Sequence, residues 1–352
     1  MNALLGVIFH SIGGFASGSF YMPFNKVKGW AWESYWIIGG LFSWLIVPPL
    51  AAWLTVPGFA EIIAATSGRI ISITIMMGLL WGIGGLTYGL GVRYLGMSLG
   101  NSIILGLCSA FGALVPSIYY TINPTAGKIS FTDMLANQGG QLVLIGVAIC
   151  LAGIAITGKA GMMKEREIAG KEGTRTADQE FSIVKGLIIA VISGVLSSFF
   201  NFGIEAGKPM AEAAVTAGFN PLFQNNVTFV VLLWGGLTTN LIWTTILNIK
   251  NRTYGNYVDK AKPLFNNYLF SAMAGTMWFM QFFFYGMGES KLGNGASSWI
   301  LHMSTIILTA NMWGIYRKEW KGVSSPTIRT FVIGIAVIIL SVFIVGIGNS
   351  IK

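Results

Sequence analysis

Charge is what this sequence has least of. Only 10% of its 352 residues are Asp, Glu, Lys or Arg, against about 25% in an ordinary water-soluble domain. So few charges cannot cover a soluble body of this size, and the 54% of hydrophobic residues must face something other than water. Lipid is the simple candidate. Cysteine occurs twice and histidine twice. Cys108 and Cys150 both sit inside apolar runs, where they read as small helix-packing residues and give no disulfide framework. No Gly-rich loop leads into Lys-Ser/Thr, and there is no His-Glu-x-x-His and no paired-cysteine motif. ATP hydrolysis, a bound metal, a cofactor and a membrane-embedded enzyme, which would need a catalytic cluster, are therefore not expected. The first apolar run has no basic segment ahead of it, so it is expected to stay as a permanent span rather than be cleaved as a secretory signal.

What is present is long apolar segments. The mean hydropathy is +0.67, and the 46 glycines suit helices that pack closely in a bilayer. Windows of about 19 residues, the length that crosses roughly 30 Å of hydrocarbon, predict ten transmembrane helices. They fall near 3–23, 35–54, 70–90, 97–119, 139–158, 184–205, 226–248, 265–287, 298–316 and 330–350. The long polar stretch between the fifth and sixth reads as a solvated linker, 159–183, between an N-terminal unit, 1–158, and a C-terminal unit, 184–352.

The net charge of +9 could point to nucleic acid, but its distribution does not. Seventeen of the 22 basic residues lie in loops that follow odd-numbered spans, among them Lys26, Lys28, Arg93, Lys159, Lys250 and Arg317. The other five are Arg69, Lys128, Lys208, Lys291 and Lys352. Because basic loops stay in the cytoplasm, both termini are predicted outside.

The two halves echo each other. Trp81, Tyr88, Gly89, Gly91, Leu95 and Gly96 in the third span match Trp278, Tyr285, Gly286, Gly288, Leu292 and Gly293 in the eighth at a constant offset of 197. A weaker match at offset 180 sets Gly14, Ser17 and Phe20 over Gly194, Ser197 and Phe200. Five spans per half is an odd number, so the halves would lie in the membrane in opposite orientations. That is the inverted repeat of many secondary transporters, whose sites sit between the repeats.

Polar residues inside spans are the candidates for chemistry, because an unsatisfied polar group in hydrocarbon is costly. His10 and His302 fall at similar depths in spans one and nine and could share a proton. Glu33 begins span two beside Lys26 and Lys28, a candidate gate. Glu205 ends span six with Lys208 three residues on, close enough to pair on one helical face. Gln281, Asn101, Asn201 and Asn240 are amides within spans, where interhelical bonding competes with ligand binding as their role. Trp81, Tyr88, Trp278 and Tyr285 add aromatic faces to Asn201 and Gln281. Rings for C–H faces with amides for hydroxyls suit a neutral polyhydroxylated ligand. Gly78, Gly82, Gly85 and Gly89 share one face of the third span, where a neighbouring helix is expected to approach. Pro23, Pro48, Pro49 and Pro116 are expected to kink spans.

Several strings are more specific: Phe20-Tyr21-x-Pro23-Phe24-x-Lys26-Val27-Lys28 with Trp30-x-Trp32-Glu33, Trp81-Gly82-Ile83-Gly84, Arg93-Tyr94-Leu95-Gly96-Met97-Ser98, Lys208-Pro209-Met210, Met277-Trp278 with Gln281-Phe282-Phe283-Phe284-Tyr285, and Trp299-x-Leu301-His302-Met303-Ser304. In these the chain resembles the bacterial L-rhamnose–proton symporters of the drug/metabolite transporter superfamily, over nearly its whole length. The resemblance implies an inner-membrane importer of L-rhamnose or a related methylpentose, driven by protons through alternating access, with Tyr21 and Trp299 added to the sugar-site candidates. Its one departure is Glu205 ahead of Gly207-Lys208-Pro209, an extra carboxylate that bears on the coupling ion or the sugar. A sodium-coupled sugar importer and a metabolite exporter of the same superfamily are the alternatives, and a sensor that binds sugar without moving it is a third.

Overall fold

The computed structural model describes residues 2–95, 97–124, 128–172, 183–316, 318 and 320–351. Among them are helices and turns, with no strand. In chain order the helices are α1 (Asn2–Ser19), α2 (Tyr21–Phe24), α3 (Trp32–Gly40), α4 (Val47–Thr55), α5 (Phe59–Ala65), α6 (Gly68–Leu95), α7 (Met97–Ile122) and α8 (Phe131–Ala136). There follow α9 (Gln138–Glu172), α10 (Ile183–Ala206), α11 (Lys208–Thr216), α12 (Asn225–Lys250), α13 (Leu264–Leu292), α14 (Gly295–Tyr316) and α15 (Ser325–Ser350).

Local chemistry sets several of the breaks. The first segment is interrupted at Phe20, just before Pro23. A π-helical stretch, Leu41–Ile46, joins α3 to α4. Pro48 and Pro49 cannot donate to the carbonyls of Trp44 and Leu45, and the wider register absorbs the mismatch. Ser130 caps α8, with its hydroxyl accepting from the Asp133 amide at 3.0 Å. The bonds that Ser130 returns to Asp133 hold that carboxyl below its usual range. α13 ends at Gly293, whose φ of +67° is the left-handed cap that glycine adopts without strain.

Eight stretches are long and apolar enough to cross a membrane: 3–24, 32–55, 68–91, 103–122, 138–164, 185–216, 221–250 and 325–350. The chain is therefore an all-α, multi-pass membrane protein. α13 and α14, which the sequence reading counted as spans, have the length but not the uniform apolarity. Asn266, Asn267, Gln281 and Glu289 interrupt the first, and Ser297, Ser298, His302 and Ser304 the second. Both bury most of these polar groups against other helices rather than toward lipid.

The expected linker begins as helix. Residues 159–172 continue α9, and Glu167 accepts hydrogen bonds from the Ser324 amide at 2.7 Å and from Thr327. Lys164 lies 4.9 Å over the Trp320 ring. This docks the end of α9 on the start of α15. The remainder, 173–182, lies outside the described residues.

Glycines set which helices touch. A Cβ on Gly6 or Gly13 of α1 would collide with Leu292 or the Gln281 carbonyl of α13, so the two helices run antiparallel. A Cβ on Gly14 or Gly18 would strike Thr305 or Thr309, so α1 runs parallel to α14. In the third span Gly78 and Gly82 do meet a neighbour, α12, at Leu232 and Thr239. Gly85 and Gly89 do not: nothing lies within 4 Å of a Cβ at either. The helix diverges from α12 there, and its closest packing shifts to Gly84, against Ser197 of α10. One glycine face was thus expected where the structure uses two.

Candidate functional site

α1, α13 and α14 bring three rings from distant parts of the chain together. The centroids of His10 and His302 are 5.8 Å apart, and Tyr285 lies 5.3 Å from each. All three are essentially inaccessible to solvent. Neither nitrogen of either imidazole has a hydrogen-bond partner. The contact depends on Gly288, because a side chain there would begin 2.6 Å from the His10 ring.

From Tyr285 the polar contacts cross to α10. Its hydroxyl donates to Asn201 Oδ1 at 3.1 Å, and Asn201 Nδ2 donates to the Gly112 carbonyl of α7 at 2.7 Å. Trp299 Nε1 donates to the Cys108 carbonyl at 2.9 Å. One turn before Tyr285 on α13, Gln281 is buried with its Nε2 unpartnered, as is Trp278 Nε1.

Aromatic rings fill the space between. Phe200 stacks on Phe282 at 4.3 Å and lies 4.9 Å from Trp81 and 6.4 Å from Trp299. Trp278 closes on Phe20 at 4.3 Å. The nearby cavity, lined by Phe20, Trp36, Ser43, Trp44 and Trp278, measures only about 10 Å³, room for roughly one water. A hexose-sized ligand fits between these rings only when the helices separate. A larger cleft of about 470 Å³ lies among α7, α9 and α10, but Ile103, Leu107, Leu151 and Ile154 line it with Lys159 as its one charged residue. It offers hydroxyl groups almost nothing.

The other sequence candidates lie apart. Tyr21 is half-exposed on α2, between Phe20 and Trp36. Tyr88 packs on Ile104 and Ala190. The Asn101 side chain lies outside the described residues. Asn240 accepts from Trp36 Nε1 at 3.0 Å and donates to the Gly236 carbonyl.

The carboxylates mark the two ends of the bundle. Glu33 is buried and accepts from Asn251 Nδ2 at 3.0 Å and Thr253 Oγ1 at 2.8 Å. Its partners are neutral, so it is not paired with Lys26 or Lys28. The lysine backbone is occupied instead, with the Lys28 amide and carbonyl both bonded to Asn267.

At the opposite end the expected Glu205–Lys208 pair is exchanged. Glu205 binds Lys128 and Tyr120, each at 3.0 Å, and Lys208 binds Glu289 at 3.1 Å. The i,i+3 spacing does not place them together because α10 stops at Ala206 and Lys208 begins α11. Glu289 is the residue that sequence reasoning passed over. It is 3% exposed and also accepts from Asn225 Nδ2. Its signal was available: it lies eight residues after Gln281 and four after Tyr285, on the same face of one helix.

Stacked rings with buried amides, and with imidazoles whose nitrogens are unsatisfied, can hold a small polyhydroxylated molecule once the helices part. The rings receive its C–H faces, and the nitrogens and amides meet its hydroxyls.

Comparison with known proteins gives the relatives of the chain. Residues 1–351 match the family model for the L-rhamnose-proton symport protein (RhaT). The L-rhamnose-proton symporter of Yersinia pestis (strain Pestoides F) is 39% identical over 352 residues, covering 99% of this chain and 98% of that one. That of Pectobacterium atrosepticum is 37% identical over 353 residues with the same coverage.

Proposed function

This chain belongs to the L-rhamnose-proton symport family, and from that membership we propose that it imports L-rhamnose, or a related methylpentose, together with protons. The observation that carries the reading is likeness to named symporters along the whole length of both chains. It is a transporter and not an enzyme.

The sugar sits among Trp81, Asn201, Trp278, Gln281, Tyr285 and Trp299, and Tyr21, Tyr88 and Asn101 remain the further substrate-binding candidates read from the sequence. His10 and His302 offer four unpartnered ring nitrogens to its hydroxyls. The eight apolar stretches together with α13 and α14 make ten spans, in two five-helix halves of opposite orientation. Packing supports this duplication. Phe200 lies on Trp81 as Phe20 lies on Trp278, two contacts that correspond under the repeat. The protein lies in the inner membrane with both termini outside. The networks at Glu33 and at Glu205 and Glu289 close the two ends, and transport opens them in turn.

The energy is sufficient. One charge crossing 100 mV yields about 2.3 kcal/mol, and one pH unit adds about 1.4 kcal/mol. Together these support roughly a few-hundred-fold accumulation per proton.

The test is uptake of labelled L-rhamnose into proteoliposomes with and without an inward proton gradient. Accumulation that collapses with a protonophore is expected. Uptake that ignores pH but requires sodium would replace the proton, and failure across a sugar panel would remove the substrate.

A further inference from the structure

The buried face of α13 carries a polar stripe of three residues, each one turn from the next: Gln281, Tyr285 and Glu289. The first two belong to the central cluster. The third, at the end of the bundle where the chain begins, is a carboxylate almost wholly withdrawn from water, and nothing in the sugar site accounts for it. A buried carboxylate needs compensation to remain charged. Here the compensation is one ammonium, Lys208 Nζ at 3.1 Å, and one amide, Asn225 Nδ2.

Both partners suit two protonation states. Lys208 is 27% exposed, so its ammonium can turn to water. It also interacts electrostatically with Glu205 and Glu212, which would hold it after release. Asn225 turns its Nδ2 to Glu289, and its Oδ1 is buried without a partner. A carboxylate only accepts hydrogen bonds, whereas a protonated carboxyl also donates one. Rotating the Asn225 amide by half a turn would offer Oδ1 to that new donor. The charged form uses the amide's N–H, and the neutral form would use the oxygen that now has no partner.

We propose, on the basis of the symport reading above, that Glu289 is the site that takes up the co-transported proton, with Lys208 as its counter-ion and Asn225 as its switchable hydrogen-bond partner. A hydronium ion at the outer face gives its proton to Glu289 and leaves water. Lys208 keeps its own proton and moves away. The ion pair from α11 to α13 is then broken, while Glu205 of α10 keeps its bonds to Lys128 and Tyr120. Movement of α13 reaches the sugar site directly, because Gly288 rests on the His10 ring and Tyr285 is one turn below. The groups that face Glu289 are Lys208 of α11, Asn225 of α12 and the neighbouring Tyr285 of α13. His10 of α1 and Glu205 of α10 lie next beyond them. Neither histidine has a carboxylate within hydrogen-bond reach, so neither is offered the counter-charge exchange that Glu289 has.

The experiment compares wild type, Glu289→Gln and Glu289→Asp in proteoliposomes, in two assays. Gradient-driven accumulation of L-rhamnose should fall to the no-gradient level in Glu289→Gln and recover in part in Glu289→Asp. Counterflow, which exchanges labelled for unlabelled sugar at equal concentrations, needs no net proton movement. It should persist in Glu289→Gln within roughly threefold, with its pH dependence flattened. Gradient-driven accumulation by Glu289→Gln would overturn the proposal. So would loss of counterflow as complete as the loss of accumulation, since Glu289 would then serve the fold or the sugar path. If wild type moves no L-rhamnose in either assay, the substrate reading fails, and the proton site is judged by infrared titration of the purified protein. A protonated-carboxyl band that rises on acidification should be missing from Glu289→Gln and retained in Glu205→Gln. Its persistence in Glu289→Gln would overturn the assignment.

Discussion

Gln281 separates a binding role from a packing one at the scale of a single residue. Its Nε2 is buried with no partner, so it costs the resting protein stability, and under the proposed function a sugar hydroxyl would satisfy it. Gln281→Leu keeps the volume and removes that cost. It is expected to leave the melting temperature in detergent unchanged or raised, while the half-saturating L-rhamnose concentration rises about tenfold, the size of one lost hydrogen bond. An amide that glued helices together would instead lower the melting temperature. Glu205 and Lys128 offer a second test, being 15% and 18% exposed. A double-mutant cycle with Glu205→Gln and Lys128→Gln, read by thermal unfolding, should return a coupling of about 0.5–2 kcal/mol. The same cycle with Lys208→Gln in place of Lys128→Gln should return much less, since Lys208 is bonded to Glu289.

At the scale of the helix, α6 places two neighbouring glycines in opposite situations. A Cβ at Gly84 would meet the Ser197 amide at 2.6 Å, whereas one at Gly85 meets nothing within 4 Å. Gly84→Ala is therefore expected to force α6 from α10 and lower stability by about 1–3 kcal/mol. Gly85→Ala is expected to be neutral or to stabilise by about 0.5–1 kcal/mol, because alanine loses less backbone freedom in a helix. Thermal unfolding of the pair checks both. The difference arises because α6 departs from α12 beyond Gly82.

For the whole molecule the question is orientation. Val7 of α1 approaches Gly346 of α15, so the start and end of the chain share one face of the bundle. The basic loops meet at the other: Lys262 packs against Gly29, and Lys164 against Trp320. With basic loops in the cytoplasm, an alkaline phosphatase fused to the C-terminus is expected to be active and a green fluorescent protein fused there dark. The reverse result would invert the molecule and, with it, the outer position given to Glu289.

The sequence by itself determined the environment, the helical class and the approximate position of each long helix. Apolar length is a local property, and it can be read without knowing any neighbour. It also marked His10, Asn201, Gln281, Tyr285 and His302, because a polar group in an apolar run is conspicuous wherever the helix points. Only the tertiary structure decided the pairings. Lys208 left Glu205 because one residue of helix break at Gly207 turned it toward α13. Glu33 found Asn251 and Thr253 rather than its near lysines because the loop after α12 folds over it. Glu289 went unmarked because it stands near a helix end between Gly288 and Lys291, where a charge is ordinary. Its burial comes from α11 and α12, both remote in the chain. Which carboxylate is withdrawn from water, and which cation answers it, are facts of packing between distant segments, and no local pattern records them.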